Sequence, residues 1–249
     1  MIDTHAHLDA CEEPAPLLLE RARKAGVSRV IAVGSGIASC RDTLAIADAA
    51  EDGVWCALGI HPHQAGGDEA DRVDELRELL AHRRAVAVGE TGLDFFRDYA
   101  PHDAQRRLFE RQLELARELE LPVVVHSRAA DEATTELLSG FGGPVVLHCF
   151  SSPPLLTAAL DRGYYVSFAG NATFPRAEEL REAARRVPAD RILAETDCPY
   201  LAPQPVRGRP NEPANVVHTV LALAGARGEE PEQLGRRIDE NARAVFRLP

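Results

Sequence analysis

A chain of 249 residues, 45% of them hydrophobic, is long enough to bury one sizeable core, and no run approaches the roughly 18 apolar residues that span a bilayer. Its net charge of -11 excludes a protein that coats nucleic acid through a broad basic surface, though not phosphate esters in a pocket, where divalent cations reverse the local field. The five scattered cysteines form no CxxC pair and no basic, apolar leader precedes the first strand, so a cytoplasmic protein is expected, with no membrane and no obligate protein partner.

In chain order, short apolar runs predict strands over 2–7, 28–33, 54–58, 85–89, 123–126, 145–149, 164–168 and 192–196. Between them lie helical stretches near 14–25, 37–50, 68–82, 102–120, 130–139, 153–162 and 176–186, with two more near 213–226 and 230–246. The clearest is 102–120, where Leu108, Phe109, Leu113, Leu115, Ala116 and Leu119 form an apolar stripe amid Arg and Glu. Eight strands alternating with helices in a chain near 250 residues point to an α/β fold, a TIM (β/α)8 barrel forming a single domain over 1–249. The Pro, Gly and Arg-rich stretch 199–213 is a long loop at the rim.

Five of the runs end in residues that hold metals: His5 and His7, Glu90, His126, His148, and Asp197. Runs of Val, Ile, Leu and Ala read as strands buried on both faces, as in a parallel sheet. Parallel strands share one direction, so their C-terminal ends meet at one rim, and four histidines and two carboxylates converge there. A closed barrel makes the first and last strands neighbours, which lets His5 and Asp197 share an ion. In His5-Ala6-His7 the two imidazoles are alternate residues and face the same side. The pattern is weak alone; the equivalent positions of His126, His148, Glu90 and Asp197 make a joint accident improbable.

Six ligands exceed the need of one tetrahedral ion and suit two divalent ions bridged by a carboxylate, which together activate a water. Lys24, the sole lysine, lies in the first helix far from the rim, so a carbamylated lysine is excluded and Glu90 is the natural bridge. Asp197 is expected as ligand and general base. Glu195 reads as a polar support, and Cys149 and Cys198 as small packing residues beside ligands. His61 and His63 flank Pro62 in a fixed loop where either can donate to a substrate oxygen. Arg128 places a guanidinium at the rim for bidentate phosphate binding, with Arg97, Arg207 and Arg209 as further candidates. His82, His102 and His218 fall in helical segments and read as structural or exposed.

The chain resembles the TatD family of metal-dependent deoxyribonucleases over nearly its whole length. The resemblance rests on Ile2-Asp3-Thr4-His5-Ala6-His7-Leu8-Asp9, Gly59-Ile60-His61-Pro62-His63, Gly89-Glu90-Thr91-Gly92-Leu93-Asp94, Pro122-Val123-Val124-Val125-His126-Ser127-Arg128, His148-Cys149-Phe150-Ser151 and Glu195-Thr196-Asp197-Cys198-Pro199-Tyr200-Leu201. It implies a barrel with two divalent ions, one held by His5, His7 and Asp197, the other by His126 and His148, with Glu90 bridging. It also implies Mg²⁺-dependent phosphodiester hydrolysis, as a 3′–5′ exonuclease on DNA ends or single-stranded DNA or RNA. The histidine-rich set also accommodates Zn²⁺, Mn²⁺, Fe²⁺ or Ni²⁺. The sequence departs from the family at Ala6, at Ser152-Pro153, and at Pro210-Asn211-Glu212-Pro213, where the family's arginine is displaced to Arg209. Hydrolysis of a small ester, amide or aminoacyl bond is the alternative, with a noncatalytic metal-binding barrel behind it.

Overall fold

The computed structural model describes residues 1–249. Eight parallel strands form one sheet in sequence order: β1 (Ile2–Ala6), β2 (Arg29–Ser35), β3 (Val54–Gly59), β4 (Ala85–Asp94), β5 (Val123–Arg128), β6 (Val145–Leu147), β7 (Tyr165–Phe168) and β8 (Ile192–Ala194). The intervening helices are α1 (Ala15–Lys24), α2 (Ile37–Ala49), α3 (Val73–Leu80), α4 (His102–Glu118), α5 (Asp131–Leu138), α6 (Leu156–Asp161) and α7 (Glu178–Arg186), followed by α8 (Val216–Arg227) and α9 (Pro231–Phe246).

Polar contacts join the last strand to the first. Asp197 N–H donates to His5 O at 2.9 Å and His7 N–H to Cys198 O at 2.8 Å. The fully buried Asp3 carboxylate accepts from Thr196 N (2.9 Å) and Thr196 Oγ1 (2.5 Å), and Thr4 Oγ1 donates to Ala194 O at 3.1 Å. These bonds fix β1 beside the end of β8. The (β/α)8 barrel expected from the alternating pattern is the fold.

Strands buried on both faces feed one cluster of 69 buried apolar residues that continues into the helix shell. Phe109 on α4, Phe168 on β7 and Phe246 on α9 are among its largest fully buried members. Truncating a side chain such as Phe109 to alanine forfeits about 3–5 kcal/mol through lost burial and the cavity left behind. The α4 stripe is as expected except that Leu119 lies past the helix end, half-buried, and two glutamines, Gln105 and Gln112, share the buried face.

The strands expected over 145–149 and 192–196 stop at Leu147 and Ala194, the helix expected over 213–226 begins at Val216 after a 3-10 turn, Pro213–Asn215, and three further elements differ. The strand expected over 85–89 continues to Asp94, so Glu90 lies inside β4 and not at its end. Continuation is possible because β4 approaches β5 where it carries no side chain: a Cβ on Gly92, whose φ is +130°, would meet His126 O at 2.1 Å. A one-residue irregularity between Val88 and Thr91 shifts the register there and re-aims Glu90. The helix expected over 68–82 splits into a 3-10 turn, Asp68–Asp71, and α3; Glu69 leaves the helical path to accept from Ile37 N at the start of α2, at 2.7 Å. His82 therefore lies beyond α3 and not within it. Pro153 and Pro154 make the first turn of the expected 153–162 helix a 3-10 turn, leaving α6 to begin at Leu156.

Candidate metal centre

The six expected ligands come together at the C-terminal rim. His5 Nε2 and His7 Nε2 are 3.2 Å apart, and each faces Glu90 Oε2 (3.7 and 3.5 Å) and Asp197 Oδ1 (3.8 and 3.6 Å). Donors about 2.1 Å from a tetrahedral ion stand about 3.4 Å from one another, so His5, His7 and Glu90 are spaced as one ion requires, and Asp197 Oδ1 faces both imidazoles at a similar distance. On the other side of the same carboxylate, Glu90 Oε1 lies 2.9 Å from His126 Nδ1 and 2.8 Å from His148 Nε2, with those two nitrogens 3.3 Å apart. One carboxylate thus faces two donor clusters through its two oxygens. His61 Nε2 is 3.4 Å from Glu90 Oε1, which brings His61 into the second cluster as well as to the cavity wall.

Local backbone features set these directions. β1 carries an irregularity between Asp3 and Ala6, so the register shifts across the segment that carries His5. Asp197 lies beyond β8 in the left-handed region (φ 56°), as does Cys149 (φ 43°) after β6. For side chains other than glycine such backbone is costly, and at a rim it turns the flanking ligands inward.

Two carboxylates orient the imidazoles. Asp94, buried at the end of β4, uses Oδ2 toward His63 Nε2 (2.8 Å) and His126 Nε2 (3.3 Å), leaving His126 Nδ1 toward Glu90. Its Oδ1 accepts the backbone N–H groups of Phe96 (3.0 Å) and Arg97 (2.9 Å). Glu195, fully buried, accepts Cys149 N–H at 2.8 Å and faces His148 Nδ1 at 3.1 Å, leaving Nε2 for Glu90. His5 stacks on His148 at 3.9 Å, and His5 Nδ1 and Glu195 Oε2 are buried without partners. Such outer contacts fix the tautomer and the ring plane of a ligand.

Behind them, α4 holds two rim segments through its buried glutamines. Gln112 Oε1 accepts Ile60 N–H (2.8 Å), and its Nε2 donates to Ile60 O (2.9 Å) and Thr91 Oγ1 (2.7 Å). Ile60 precedes His61 and Thr91 follows Glu90. One turn-pair earlier, Gln105 brackets Asp94 in the same way, accepting from its N–H and donating to its carbonyl.

The charges suit a dication. Burial opposes ionisation of Glu90, but His148, His61 and His126 hold its carboxyl well below the usual range. Asp197 is likewise lowered against burial by His7, His148 and His5. Burial resists the charge on His148, yet Glu90 and Glu195 hold its pKa well above the ordinary histidine value; Asp94 and Glu90 raise His126, and Asp197 and Glu90 raise His7. His5 and His61 are lowered, foremost by burial. The carboxylates thus favour positive charge on His7, His126 and His148, a charge that a bound cation would supply in their place.

The centre opens into a cavity of about 860 Å³ whose wall includes His61, His63, Arg97, Arg128 and Asp197. Arg128 stands over the Phe96 ring, 4.0 Å from its centroid. Arg209 is not brought in: it is exposed, lies outside the cavity wall, and its N–H closes a turn onto Val206 O. Arg207 instead covers Phe174. Cys149 lines the cavity, while Cys198 is buried. His102 stacks on Phe95 at the start of α4, and His218 is a half-buried residue of α8. Sequence reasoning assigned no role to Asp94, Gln105 or Gln112; Asp94 sat within a quoted motif, and the spacing of the glutamines by seven on the buried face was the available signal.

A sequence profile described as TatD related DNase matches residues 2–247. The chain belongs to this family of metal-dependent hydrolases. It is 39% identical over 240 residues to the "3'-5' ssDNA/RNA exonuclease TatD" of Pantoea ananatis, covering 93% of this chain and 92% of that protein. It is 34% identical over 254 residues to "Uncharacterized metal-dependent hydrolase YabD" of Bacillus subtilis, covering 100% and 99%. Among solved structures, the TatD homologue YJJV of Escherichia coli superposes with a TM-score of 0.92 at 30% identity, covering 100% of this chain and 98% of that one.

Proposed function

We propose that this protein is a two-metal phosphodiesterase, a single unit over 1–249, that removes nucleotides from the 3′ ends of single-stranded DNA or RNA. The observation that carries the reading is the placement of Glu90 between two donor clusters at the floor of one open cavity. His5, His7 and Asp197 would hold one divalent ion and His126 and His148 the other, with Glu90 shared. Mg²⁺ is the proposed working ion; nitrogen-rich donors also suit Mn²⁺ and Zn²⁺. Bound there, such ions would polarise the phosphoryl oxygen and acidify a water. The name of the Pantoea relative, a single-stranded DNA and RNA exonuclease, supports the nucleic-acid assignment.

Asp197 takes the water's proton. Its Oδ1 faces the histidine pair, its Oδ2 is free of protein partners at the cavity wall, and its lowered pKa keeps it ionised at neutral pH. Arg128 and Arg97 have no carboxylate partner, so both are available to the phosphates on either side of the scissile bond. His63, anchored on Asp94, orients a substrate oxygen, and His61 stands between that role and the second ion. We assign the protein to the cytoplasm, which its five scattered cysteines with no CxxC pair support. No helix is long and apolar enough to cross a membrane.

The test is digestion of a 5′-labelled single-stranded oligonucleotide with Mg²⁺ or Mn²⁺. A ladder shortening from the 3′ end, lost in Asp197→Asn, supports the proposal. Turnover only of small esters or amides would replace it with the alternative chemistry, and no turnover of any substrate would leave a metal-binding barrel.

A further inference from the structure

Water-facing aromatic rings are concentrated at the cavity mouth. Of the five exposed large hydrophobic side chains in the protein, three are aromatic, Phe96, Tyr99 and Tyr200, with exposures of 61, 65 and 57%. Tyr99 and Tyr200 line the cavity itself, and Phe96 lies beneath Arg128, which also lines it. Tyr99 meets His63 edge-on at 4.7 Å, and Tyr200 meets His7 at 5.9 Å, so the two tyrosines stand beside histidines from different parts of the centre.

The loop that carries Phe96 and Tyr99 is held in place. Asp94 Oδ1 accepts the N–H groups of Phe96 and Arg97, Phe95 N–H donates to Arg128 O at 2.9 Å, and Gln105 Nε2 donates to Ala100 O at 2.9 Å. The rings are therefore presented to solvent on a fixed frame, tied through Asp94 to the same carboxylate that orients His126. A small ester or amide needs no such surface outside the cavity. A single strand does: its unpaired bases have free faces, and aromatic rings take them with little regard to sequence. Preorganisation reduces the ordering cost of that contact.

We propose that Phe96, Tyr99 and Tyr200 form a base-stacking rim that seats the unpaired bases of a nucleic-acid strand while Arg97 and Arg128 take its phosphates. This rests on the nuclease reading above and adds its selectivity: recognition comes from base faces, which a paired strand keeps stacked within its own duplex. It also explains how an acidic protein engages a polyanion, since stacking replaces a broad basic surface.

The probes are a dodecamer of thymidylate and a backbone of equal length lacking bases, compared by kcat/KM with Mn²⁺. The parent protein is expected to prefer the dodecamer by tenfold or more, because stacking contributes about tenfold per base on each aromatic. In F96A/Y99A that preference falls by tenfold or more through KM, leaving only what Tyr200 contributes; in F96L/Y99L it stays equally low, and in F96Y/Y99F it is restored. Both residues are exposed, so the variants fold, which thermal melting verifies. A parent that cleaves both probes equally, or a preference that survives undiminished in F96A/Y99A or F96L/Y99L, overturns the rim while leaving the nuclease reading intact. A parent that cleaves neither probe overturns both.

Discussion

Replacing Gln112 by leucine tests how the outer helix holds the centre. Leucine keeps much of the volume but makes none of the three hydrogen bonds to Ile60 and Thr91, all in fully buried surroundings. Ile60 N–H and C=O would both be stranded, at about 1–3 kcal/mol each. The added apolar burial offsets about 1–2 kcal/mol of that. The net loss is about 1–4 kcal/mol, and a chain of this size moves its Tm by about 2–4 °C per kcal/mol. A fall of about 2–16 °C in the metal-free protein follows. Because Ile60 adjoins His61 and Thr91 adjoins Glu90, Mn²⁺ affinity is expected to drop roughly tenfold or more by titration calorimetry. A Tm within a degree of the parent, with unchanged Mn²⁺ affinity, would refute the reasoning that α4 positions the rim.

Glu195→Gln should weaken Mn²⁺ binding by about 10–100-fold, because an amide no longer sets the His148 ring as the carboxylate does; the same calorimetry reads it. Asp3 provides a pH signature in the metal-free protein. Burial raises its pKa from 3.8 to about 8, so between those values the folded chain holds a proton that the unfolded chain has lost, and stability falls as pH rises. Asp3→Asn keeps the amide counterpart of the protonated form, and its urea-unfolding free energy should vary less between pH 5 and about 8 than the parent's. Parallel profiles would exclude Asp3 as the source. Acidification acts oppositely on Glu90 and Asp197: their depressed values contribute stability above the unfolded carboxylate range that disappears as pH falls, so Glu90→Gln should lose less stability than the parent below about pH 4.

The barrel and the convergence of its six candidate ligands were legible because each candidate terminates or follows an apolar run, and parallel strands bring such ends together whatever their separation in sequence. What the pattern could not carry was partnership across the chain. Gln112 lies 52 residues from Ile60 and 21 from Thr91, so nothing local distinguishes it from a polar residue at the edge of an amphipathic stripe. Asp94 was hidden for a related reason: it lies within a strand that seemed to end at 89, and the glycines that permit the extension look like a turn. Arg209 differs in the other direction, since it stands exposed outside the cavity wall. Its expected place depended on the path of the 199–213 loop, which has no periodicity from which to read a direction.

Elemental analysis of desalted, Mn²⁺-loaded protein measures the shared carboxylate most directly. Two ions per chain in the parent, falling to one or none in Glu90→Ala, is the predicted result. One ion in the parent, or two retained without Glu90, would contradict a centre organised around that residue.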